Sequence, residues 1–283
     1  MVNGRRLASR QKRVHECRPM SPLLQVHQAS FVRGGRRILQ DIDWKVQRGE
    51  HWCILGPNGC GKTSLINLIT GYEPATDGEI RIGEDRFGNS DWREVRKRVG
   101  LVTNTLATYI EPGEPVLHVI ASGRDAKLNL WQPPSAALKK QATGLLEAVG
   151  GSHLRRSLWA TLSQGEKQKV LICRALMARF EVLILDEPCA GLDPVAREQF
   201  LAWMAGIATW PEAPSLVLVT HHVEEILPCF NHLLLLHEGR VHACGDRDDV
   251  LTSANLGQIY GARVKLGQSK GRYRLGVEVD GHW

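Results

Sequence analysis

The 283-residue sequence has no long apolar run. Its longest apolar stretches are short, and residues 182–185 and 233–236 are examples. Because a helix needs about 20 mostly apolar residues to cross a bilayer, this pattern excludes a membrane-spanning protein. The first residues also lack the apolar segment of a secretory signal, so we expect no such signal here.

Closely spaced cysteine pairs are absent as well. The chain has seven cysteines, and none of them forms a C-x-x-C pair. Zinc sites and redox-active sites commonly use that spacing, so the sequence predicts neither. Scattered cysteines of this kind are typical of reduced thiols, and we therefore expect a cytoplasmic protein.

The body of the chain carries little net charge. Residues 1–20 hold six basic residues and one acidic residue, which gives this segment five of the six net positive charges. A nucleic-acid-binding domain usually has a basic face on its folded body, so we predict no nucleic-acid partner. We expect residues 1–20 to form a disordered leader, the alternatives being a membrane or nucleic-acid contact, a transit peptide, or translation that starts at Met20.

A glycine-rich segment is the most informative part of the sequence. Residues 56–64 read GPNGCGKTS and fit G-x-x-x-x-G-K-[S/T], the pattern of a phosphate-binding loop. The apolar run at residues 52–55 predicts a buried strand before it, and residues 65–70 predict a helix that ends at Gly71. The alternative, a chance glycine-rich turn, does not account for the match at every fixed position and on both sides.

This loop has the chemistry to hold a nucleoside triphosphate with Mg²⁺. Its glycines let backbone N–H groups turn toward phosphate, and the helix N-terminus adds the positive end of its dipole. Lys62 is expected on the β- and γ-phosphates, and the Thr63 hydroxyl on the metal ion. The predicted phosphate-binding residues are Gly56, Pro57, Asn58, Gly59, Cys60, Gly61, Lys62, Thr63 and Ser64.

The remaining pattern predicts a mixed α/β fold. Alternating residues between 23 and 46 indicate two strands joined by a hairpin turn at Arg33–Gly34–Gly35–Arg36, and residues 78–82 and 99–103 indicate further strands. Helix formers with proline breaks follow, which predicts a helical lobe over about residues 105–165. Strands are also expected at residues 216–219, 233–236 and 240–243.

Two later segments carry candidate site residues. Ser163 and Glu166 have the S-x-x-E spacing of a capping box, which predicts a helix start and is common in itself. The apolar run 182–185 predicts a buried strand that ends in Asp186 and Glu187. In a phosphate-loop protein, an acid such as Asp186 at a strand end holds Mg²⁺, although it could also only cap the strand.

Taken in order, GPNGCGKTS, LSQGE, LILDEP, AGLD and TH resemble the motifs of the ATP-binding cassette (ABC) ATPases along residues 23–265. The resemblance implies a P-loop NTPase fold of the ABC type, with a RecA-like core, an antiparallel β subdomain and an inserted helical subdomain. The expected division is a leader at 1–20, an ABC ATPase domain at 21–265 and a C-terminal tail at 266–283. The run from Gly49 through the phosphate loop, with Arg33, is most similar to a branch that includes ModF- and YlmA-like proteins.

The resemblance also implies roles for single residues. Ser163, Gly165 and Glu166 lie in the signature motif LSQGE, which in the family faces the γ-phosphate of ATP held by a second subunit in a head-to-tail dimer. Glu187 resembles the general base that activates water, and His221 resembles the switch histidine on the γ-phosphate. Asp193 matches the D-loop aspartate.

Two positions depart from the family pattern. Arg33 stands where many members carry an aromatic residue that stacks on adenine, and a guanidinium can also stack on a base. Phe31 is a weaker candidate for that role. Asn104 stands where the family has the glutamine of the Q-loop, and its side chain is one methylene shorter.

The leading functional hypothesis is the ATPase subunit of an ABC transporter. Its cofactors would be ATP and Mg²⁺, and its partners a second ATPase subunit and a membrane permease on whose cytoplasmic face it would lie. The main alternative is a soluble ABC ATPase without a permease, of the kind that acts in iron–sulfur cluster assembly. The transported substrate and the direction of transport are not encoded in these motifs.

Overall fold

The computed structural model describes residues 21–125, 129–130, 132–178 and 180–278, without the side chain of Asn104. The predicted leader, residues 1–20, lies outside this range. The strands are β1 (Leu24–Arg33), β2 (Arg36–Val46), β3 (Trp52–Leu55), β4 (Asp77–Ile82), β5 (Asp85–Arg86), β6 (Val99–Thr103), β7 (Val182–Asp186), β8 (Ser215–Thr220), β9 (His232–His237), β10 (Arg240–Asp246), β11 (Arg263–Ser269) and β12 (Arg272–Glu278).

In the described part of the chain, the helices lie between the strands singly, as a pair between β10 and β11, or as a run of four between β6 and β7. They are α1 (Lys62–Thr70), α2 (Trp92–Arg96), α3 (Asn104–Ala107), α4 (Val116–Ser122), α5 (Ala136–Ala148), α6 (Gln164–Leu176), α7 (Pro194–Ile207), α8 (Arg247–Val250) and α9 (Ser253–Tyr260). Short 3₁₀ turns add Gly123–Asp125, Ser152–Arg156, Trp159–Thr161 and Val223–Glu225. Among the described residues, no helix combines the length and the apolar character that a membrane crossing needs.

A six-stranded sheet forms the centre of the molecule. Its strand order is β10-β9-β3-β8-β7-β6, and all neighbours are parallel except β10 and β9. The central strands are buried on both faces, so their sequences are continuously apolar and do not alternate with polar residues. The sequence pattern of short apolar runs therefore predicted these strands correctly.

Each face of this sheet contributes to a different hydrophobic core. In β3, Cys53 and Leu55 pack toward one core with α4 to α7, while Trp52 and Ile54 pack toward the other. The second core also contains the apolar side of α1 and one face of the antiparallel sheet β2-β1-β4-β5. Helix α1 is thus held between two sheets, which fixes the loop that precedes it.

The hairpin between β1 and β2 forms as predicted, with Arg33 paired to Arg36 across the turn. The described elements between β6 and α6 are helices and 3₁₀ turns, in agreement with the expected helical lobe. The limits of the predicted domains stay predictions. Helix α6 begins at Gln164, directly after Ser163, because Ser163 and Glu166 cap it.

The C-terminal part differs from the expectation of a tail. The predicted division at residue 265 falls inside β11, which pairs along its length with β12 as an antiparallel hairpin. The residues Val264, Leu266, Tyr273, Leu275 and Val277 alternate with other residues along the two strands, a strand signal that the expectation of a tail overlooked. Most positions of both strands are half-buried or exposed. Tyr273 is the exception, since it is buried and anchors β12 against the main domain.

Candidate functional site

The candidate site lies at the carboxyl ends of neighbouring parallel strands. The phosphate loop follows β3, His221 follows β8, Glu187 follows β7 and Asn104 follows β6. Register pairs such as Leu55–Thr220 and Thr103–Asp186 bring these ends to one edge of the sheet. In open α/β sheets this edge is where ligands bind. Motifs separated by more than 100 residues in sequence are therefore brought together by strand order.

The phosphate loop has the backbone that its glycines predict. Gly59 and Gly61 have positive φ angles of 78° and 109°, which side chains other than glycine rarely adopt. Gly61 is the N-cap of α1, and no side chain caps this helix end. The first N–H groups of α1 therefore have no capping side chain, which is compatible with the predicted anion site.

The side chain of Lys62 folds back over the start of the phosphate loop. Its Nζ donates hydrogen bonds to the carbonyl oxygens of Gly56 at 2.8 Å and Pro57 at 3.0 Å, and it lies 4.0 Å from Glu187 Oε1. The side chain is buried, so its charge is held close to the loop in surroundings of low dielectric constant. A bound phosphate would replace neutral carbonyl partners with charged oxygens.

A cavity of about 410 Å³ opens beside the loop. Its walls combine the phosphate loop with polar residues from neighbouring strand ends. The lining residues are Ile38, Asn58, Gly59, Gly61, Lys62, Thr63, Ser64, Thr103, Thr105, Asp186 and Glu187. Of the predicted phosphate-binding residues, six therefore line one polar cavity together with Asp186 and Glu187, whereas Gly56, Pro57 and Cys60 do not line it.

Asp186 and Thr63 fit a divalent cation. The Thr63 hydroxyl donates to Asp186 Oδ2 at 3.4 Å, whereas Asp186 Oδ1 is buried and has no hydrogen-bond partner among the described residues. Burial, and next the nearby Glu187 charge, raise the pKa of Asp186 to about 6. A buried acceptor without a partner is unfavourable unless a ligand satisfies it. Mg²⁺ is commonly bound through one or two protein oxygens together with phosphate and water ligands, so this pair of residues suits it.

Glu187 and His221 contact each other at the edge of this cavity. His221 Nδ1 lies 3.1 Å from Glu187 Oε1, and both side chains are partly exposed. Glu187 has a φ of 47°, an uncommon value for a residue other than glycine, while its N–H donates to Val219 O at 2.9 Å. This conformation turns the carboxylate toward His221 and Lys62. Strain of this kind is concentrated at functional sites.

The signature residues stand apart from that cavity. Ser163 caps α6, and Glu166 Oε2 accepts hydrogen bonds from both the backbone N–H and the hydroxyl of Ser163 at 2.8 Å. The Ser163 N–H is the largest cause of the lowered pKa of Glu166. A Cβ built on Gly165 would make only ordinary contacts, at 3.6 Å from Ala196 and Leu192, so packing within the chain does not require glycine here. Ser163, Gly165 and Glu166 do not line the cavity beside the phosphate loop.

Arg33 is directed elsewhere in the structure. Its guanidinium pairs with Glu73 and lies 5.4 Å from the ring centroid of Phe31, which is buried. Neither residue lines the cavity beside the phosphate loop. The side chain of Asn104 lies outside the described residues, although its backbone begins α3.

Sequence reasoning missed a second cavity on the outer side of the phosphate loop. It measures about 610 Å³ and is lined by the hairpin residues Arg36, Arg37 and Ile38 together with residues 57–60 and 237–239. Ile38 lines both cavities, so the two are adjacent. The adjacent residues Arg36 and Arg37 at the start of β2 could have indicated this cavity from the sequence, because arginine binds anions and stacks on aromatic rings.

Comparisons with known proteins agree with these motifs. A family model described as ABC transporter matches residues 39–190. The chain is 42% identical over 245 residues to the uncharacterized ABC transporter ATP-binding protein YlmA of Bacillus subtilis, with 86% of this chain and 93% of that protein covered. It is 36% identical to YmeB of Lactococcus lactis, also named an uncharacterized ABC transporter ATP-binding protein, over 89% of this chain and 97% of that one.

A solved structure has the same fold. CbiO1 of Clostridium perfringens, described as part of the ABC transporter complex CbiONQ, superposes with a TM-score of 0.71 at 24% identity, covering 84% of this chain and 94% of that one. At this identity the similarity establishes the fold alone. It agrees with the P-loop architecture expected from the sequence.

Proposed function

This chain belongs to the ABC transporter family of ATP-binding proteins, and from that premise we propose that the cavity beside the phosphate loop binds ATP with Mg²⁺ and hydrolyses it. ATP binding and hydrolysis are the activity of the family, and the chain is the ATP-binding subunit of such a transporter. The observation that carries the residue assignment is the convergence of Lys62, Asp186, Glu187 and His221 on one sheet edge.

Lys62 and the start of α1 bind the phosphates in this proposal. The ammonium group exchanges the Gly56 and Pro57 carbonyls for β- and γ-phosphate oxygens, and charge-assisted hydrogen bonds of this kind are stronger than neutral ones. The uncapped N–H groups of α1 add donors without any side-chain movement. Binding therefore needs little rearrangement of the backbone.

Asp186 and Thr63 would hold Mg²⁺, which supplies positive charge against the phosphates when bound. The buried Oδ1 of Asp186 would gain a partner, and the metal would favour the ionised form of a carboxylate whose pKa burial has raised. The Thr63 hydroxyl would need only to rotate so that its lone pair faces the metal ion. Other residues of the cavity orient the nucleotide and exclude water.

Glu187 is proposed to orient and deprotonate the attacking water. Its carboxylate lies beside the cavity and is fixed by His221, so one oxygen can face the γ-phosphate while the other keeps the imidazole contact. His221 is proposed to donate to the γ-phosphate from its other ring nitrogen. Because His221 would contact both groups, the γ-phosphate would help to fix the position of the Glu187 carboxylate.

The complete site requires a second copy of the chain in this proposal. Ser163 and Gly165 form the N-terminus of α6 away from the phosphate cavity of their own chain, so a head-to-tail partner is the natural source of the missing contact. Gly165 leaves room for a phosphate to approach closely. A dimer of this kind would contain two sandwiched nucleotides.

A membrane permease is the further partner that we propose, and it would place the chain on the cytoplasmic face of the membrane. CbiO1, which shares the fold, is itself described as part of a transporter complex. In this chain, two cavities that share Tyr72, Leu101 and Leu106 adjoin the start of the helical lobe. The cations Arg93, Arg96 and Lys97 line one of them, and the exposed ring of Tyr109 lines the other. This chemistry suits a permease loop with acidic and apolar side chains. The alternative of a soluble ABC ATPase has no support in the comparisons.

Replacement of Lys62 tests the assignment of the phosphate loop. Lys62→Ala should abolish ATP hydrolysis and weaken nucleotide binding, because each charged hydrogen bond contributes about 1.5–3 kcal/mol. Phosphate release and calorimetric ATP binding are the measurements. Lys45→Ala, on an exposed position of β2, is the matched control and should behave as wild type. Unchanged turnover in Lys62→Ala would refute the proposed site.

A further inference from the structure

The C-terminal segment Ser253–Glu278 packs against the chain that follows His221 in the proposed hydrolytic site. It comprises α9, β11 and β12, and β12 lies against the 3₁₀ turn Val223–Glu225. That turn begins two residues after His221. The segment therefore touches the part of the chain that carries the proposed γ-phosphate histidine, through residues that do not line the cavity beside the phosphate loop.

Tyr260 makes the most direct contact. At the last residue of α9, its hydroxyl donates a hydrogen bond to the backbone carbonyl of His221 at 3.1 Å. The ring is half-buried, and burial raises the pKa of the phenol to about 12, so the hydroxyl stays a neutral donor. Gly261 ends the helix with a φ of 63° and turns the chain away, which leaves Tyr260 facing β8 and the residues after it.

Arg272 joins two elements of the site. Its guanidinium binds both carboxylate oxygens of Glu198, at 2.6 and 3.2 Å, and also donates to the backbone carbonyl of Glu224 at 2.6 Å. Glu198 lies on α7, the helix that begins after Asp193, whereas Glu224 lies in the turn after His221. A planar guanidinium that makes three such bonds holds both elements in one geometry.

A third contact also joins β12 to the turn Val223–Glu225. The Leu275 N–H lies 3.4 Å from Glu224 Oε1, so the turn is bound through its side chain as well as its carbonyl. On the other side of the turn, the Thr220 hydroxyl donates to the buried Glu225 carboxylate at 2.6 Å. The backbone around His221 is thus fixed from both directions, while the His221 ring itself faces Glu187.

We propose that residues 253–278 form a C-terminal brace, with Tyr260 and Arg272 as positioning residues that fix His221 relative to Glu187. The brace acts through the His221 backbone and through the link between α7 and the turn, and none of its residues lines the cavity beside the phosphate loop. This inference rests on the proposed role of His221 in hydrolysis. It assigns the hairpin β11–β12 to the ATPase unit.

Tyr260→Phe is the test because it removes a single hydroxyl and keeps the ring. The variant should hydrolyse ATP roughly 3- to 10-fold more slowly, the range that one neutral hydrogen bond provides, with an unchanged KM for ATP. Tyr273→Phe is the matched control, since its hydroxyl contacts Asp248 at 3.3 Å and not the turn. Its turnover should equal that of wild type. Arg272→Ala should lower kcat more than Arg272→Lys does.

A double-mutant cycle separates positioning from general stability. In a His221→Ala background, Tyr260→Phe should have no further effect on kcat, because the group that it positions is gone. An equal loss in both backgrounds, an unchanged kcat in Tyr260→Phe, or a change in KM alone would overturn the brace. If His221→Ala itself keeps wild-type turnover, then the proposed role of His221 fails and the inference fails with it. If His221→Ala is slow and Tyr260→Phe is normal, only the inference fails.

Discussion

Among the single residues of this protein, Asp186 is the one at which folding and function oppose each other most clearly. Its carboxyl group is buried at a strand end beside another acid, Glu187, and one of its oxygens has no partner in the described structure. Burial of this kind makes the ionised form, which is the form that binds a metal ion, less favourable than it is in water. A bound cation would reverse both effects, so the same residue should destabilise the empty protein and stabilise the loaded one.

This opposition predicts a specific pH dependence of stability. The pKa of Asp186 rises from its ordinary value of 3.8 to about 6 in the folded chain, so its favourable contribution is full below pH 4 and is lost as the pH rises through 6. Asp186→Asn removes this titration. Without nucleotide, the variant should gain stability relative to wild type by up to about 3 kcal/mol between pH 4 and 7, because a difference of one in pKa corresponds to about 1.4 kcal/mol.

Urea unfolding of both proteins across this pH range is the measurement. With Mg-ATP present at neutral pH, the order should reverse, because only wild type offers a carboxylate to the metal ion. A stability difference that is constant from pH 4 to 7 would show that the pKa of Asp186 is not raised.

Arg33 carries a second prediction at this scale. If its guanidinium stacks on adenine, Arg33→Ala should weaken ATP and ADP equally by about 0.5–2 kcal/mol, and Phe or Tyr should restore the affinity. Arg36→Ala is the informative comparison, because Arg36 borders the second cavity on the outer side of the phosphate loop, whereas Arg33 pairs with Glu73. Calorimetric titration of both variants would decide the matter. A loss in Arg36→Ala alone would place the base in that second cavity.

At the scale of elements, the N-terminus of α6 is satisfied before any partner arrives. Glu166 accepts the Ser163 N–H and hydroxyl, so the proposed anion site of the free chain already contacts a carboxylate. A γ-phosphate from a second chain would have to compete for the Ser163 hydroxyl. The capping box therefore stabilises the helix. It also opposes closure of the proposed dimer, because the Ser163 hydroxyl must leave Glu166 to bind the γ-phosphate.

Replacement of this cap should affect stability and closure separately. Ser163→Ala should lower the free energy of unfolding by about 0.5–2 kcal/mol, the usual cost of losing such a cap. Ser135→Ala is a matched control, since Ser135 caps α5 in the helical lobe by the same kind of bond. Both variants should lose similar stability, but only Ser163→Ala should slow hydrolysis. Equal turnover in the two variants would leave Ser163 with a structural role only.

The elements that could be predicted from sequence are those with local signals. The β3–loop–α1 unit, the hairpin turn at Gly34–Gly35 and the capped start of α6 each depend on residues that are close together in the chain, and the structure confirms them. The contact of Arg33 with Glu73 and that of Arg272 with Glu198 depend on strand order over long separations. No periodicity reports such contacts. The hairpin β11–β12 does have a local signal, because Val264 and Leu266 in one strand and Tyr273, Leu275 and Val277 in the other recur at every second position, and the prediction of a tail overlooked it.

At the scale of the whole molecule, the arrangement of the two half-sites is the main argument for a dimer. The Ser163 helix end does not line the phosphate cavity of its own chain, so the two half-sites are separate surfaces in the proposed dimer. Each surface lacks what the other supplies, because one would hold phosphate oxygens and the other presents donors at a helix N-terminus. In a two-fold dimer, the phosphate cavity of each chain would face the α6 N-terminus of the other, so that both cavities and both helix ends are paired.

Glu187→Gln is the sharpest probe of this arrangement. Gln keeps the shape of the side chain, so Lys62, Thr63 and Asp186 should still hold Mg-ATP, but it cannot deprotonate water, a loss of about 10²–10⁴-fold in rate. The unhydrolysed γ-phosphate should then bridge two chains, and light scattering should report a dimer with Mg-ATP and a monomer with ADP. Adding Ser163→Arg should prevent the dimer, because a bulky side chain replaces the cap at the anion site. If Glu187→Gln binds ATP and stays monomeric, the isolated chain does not form the proposed sandwich, and closure would have to be tested in a complex with the permease.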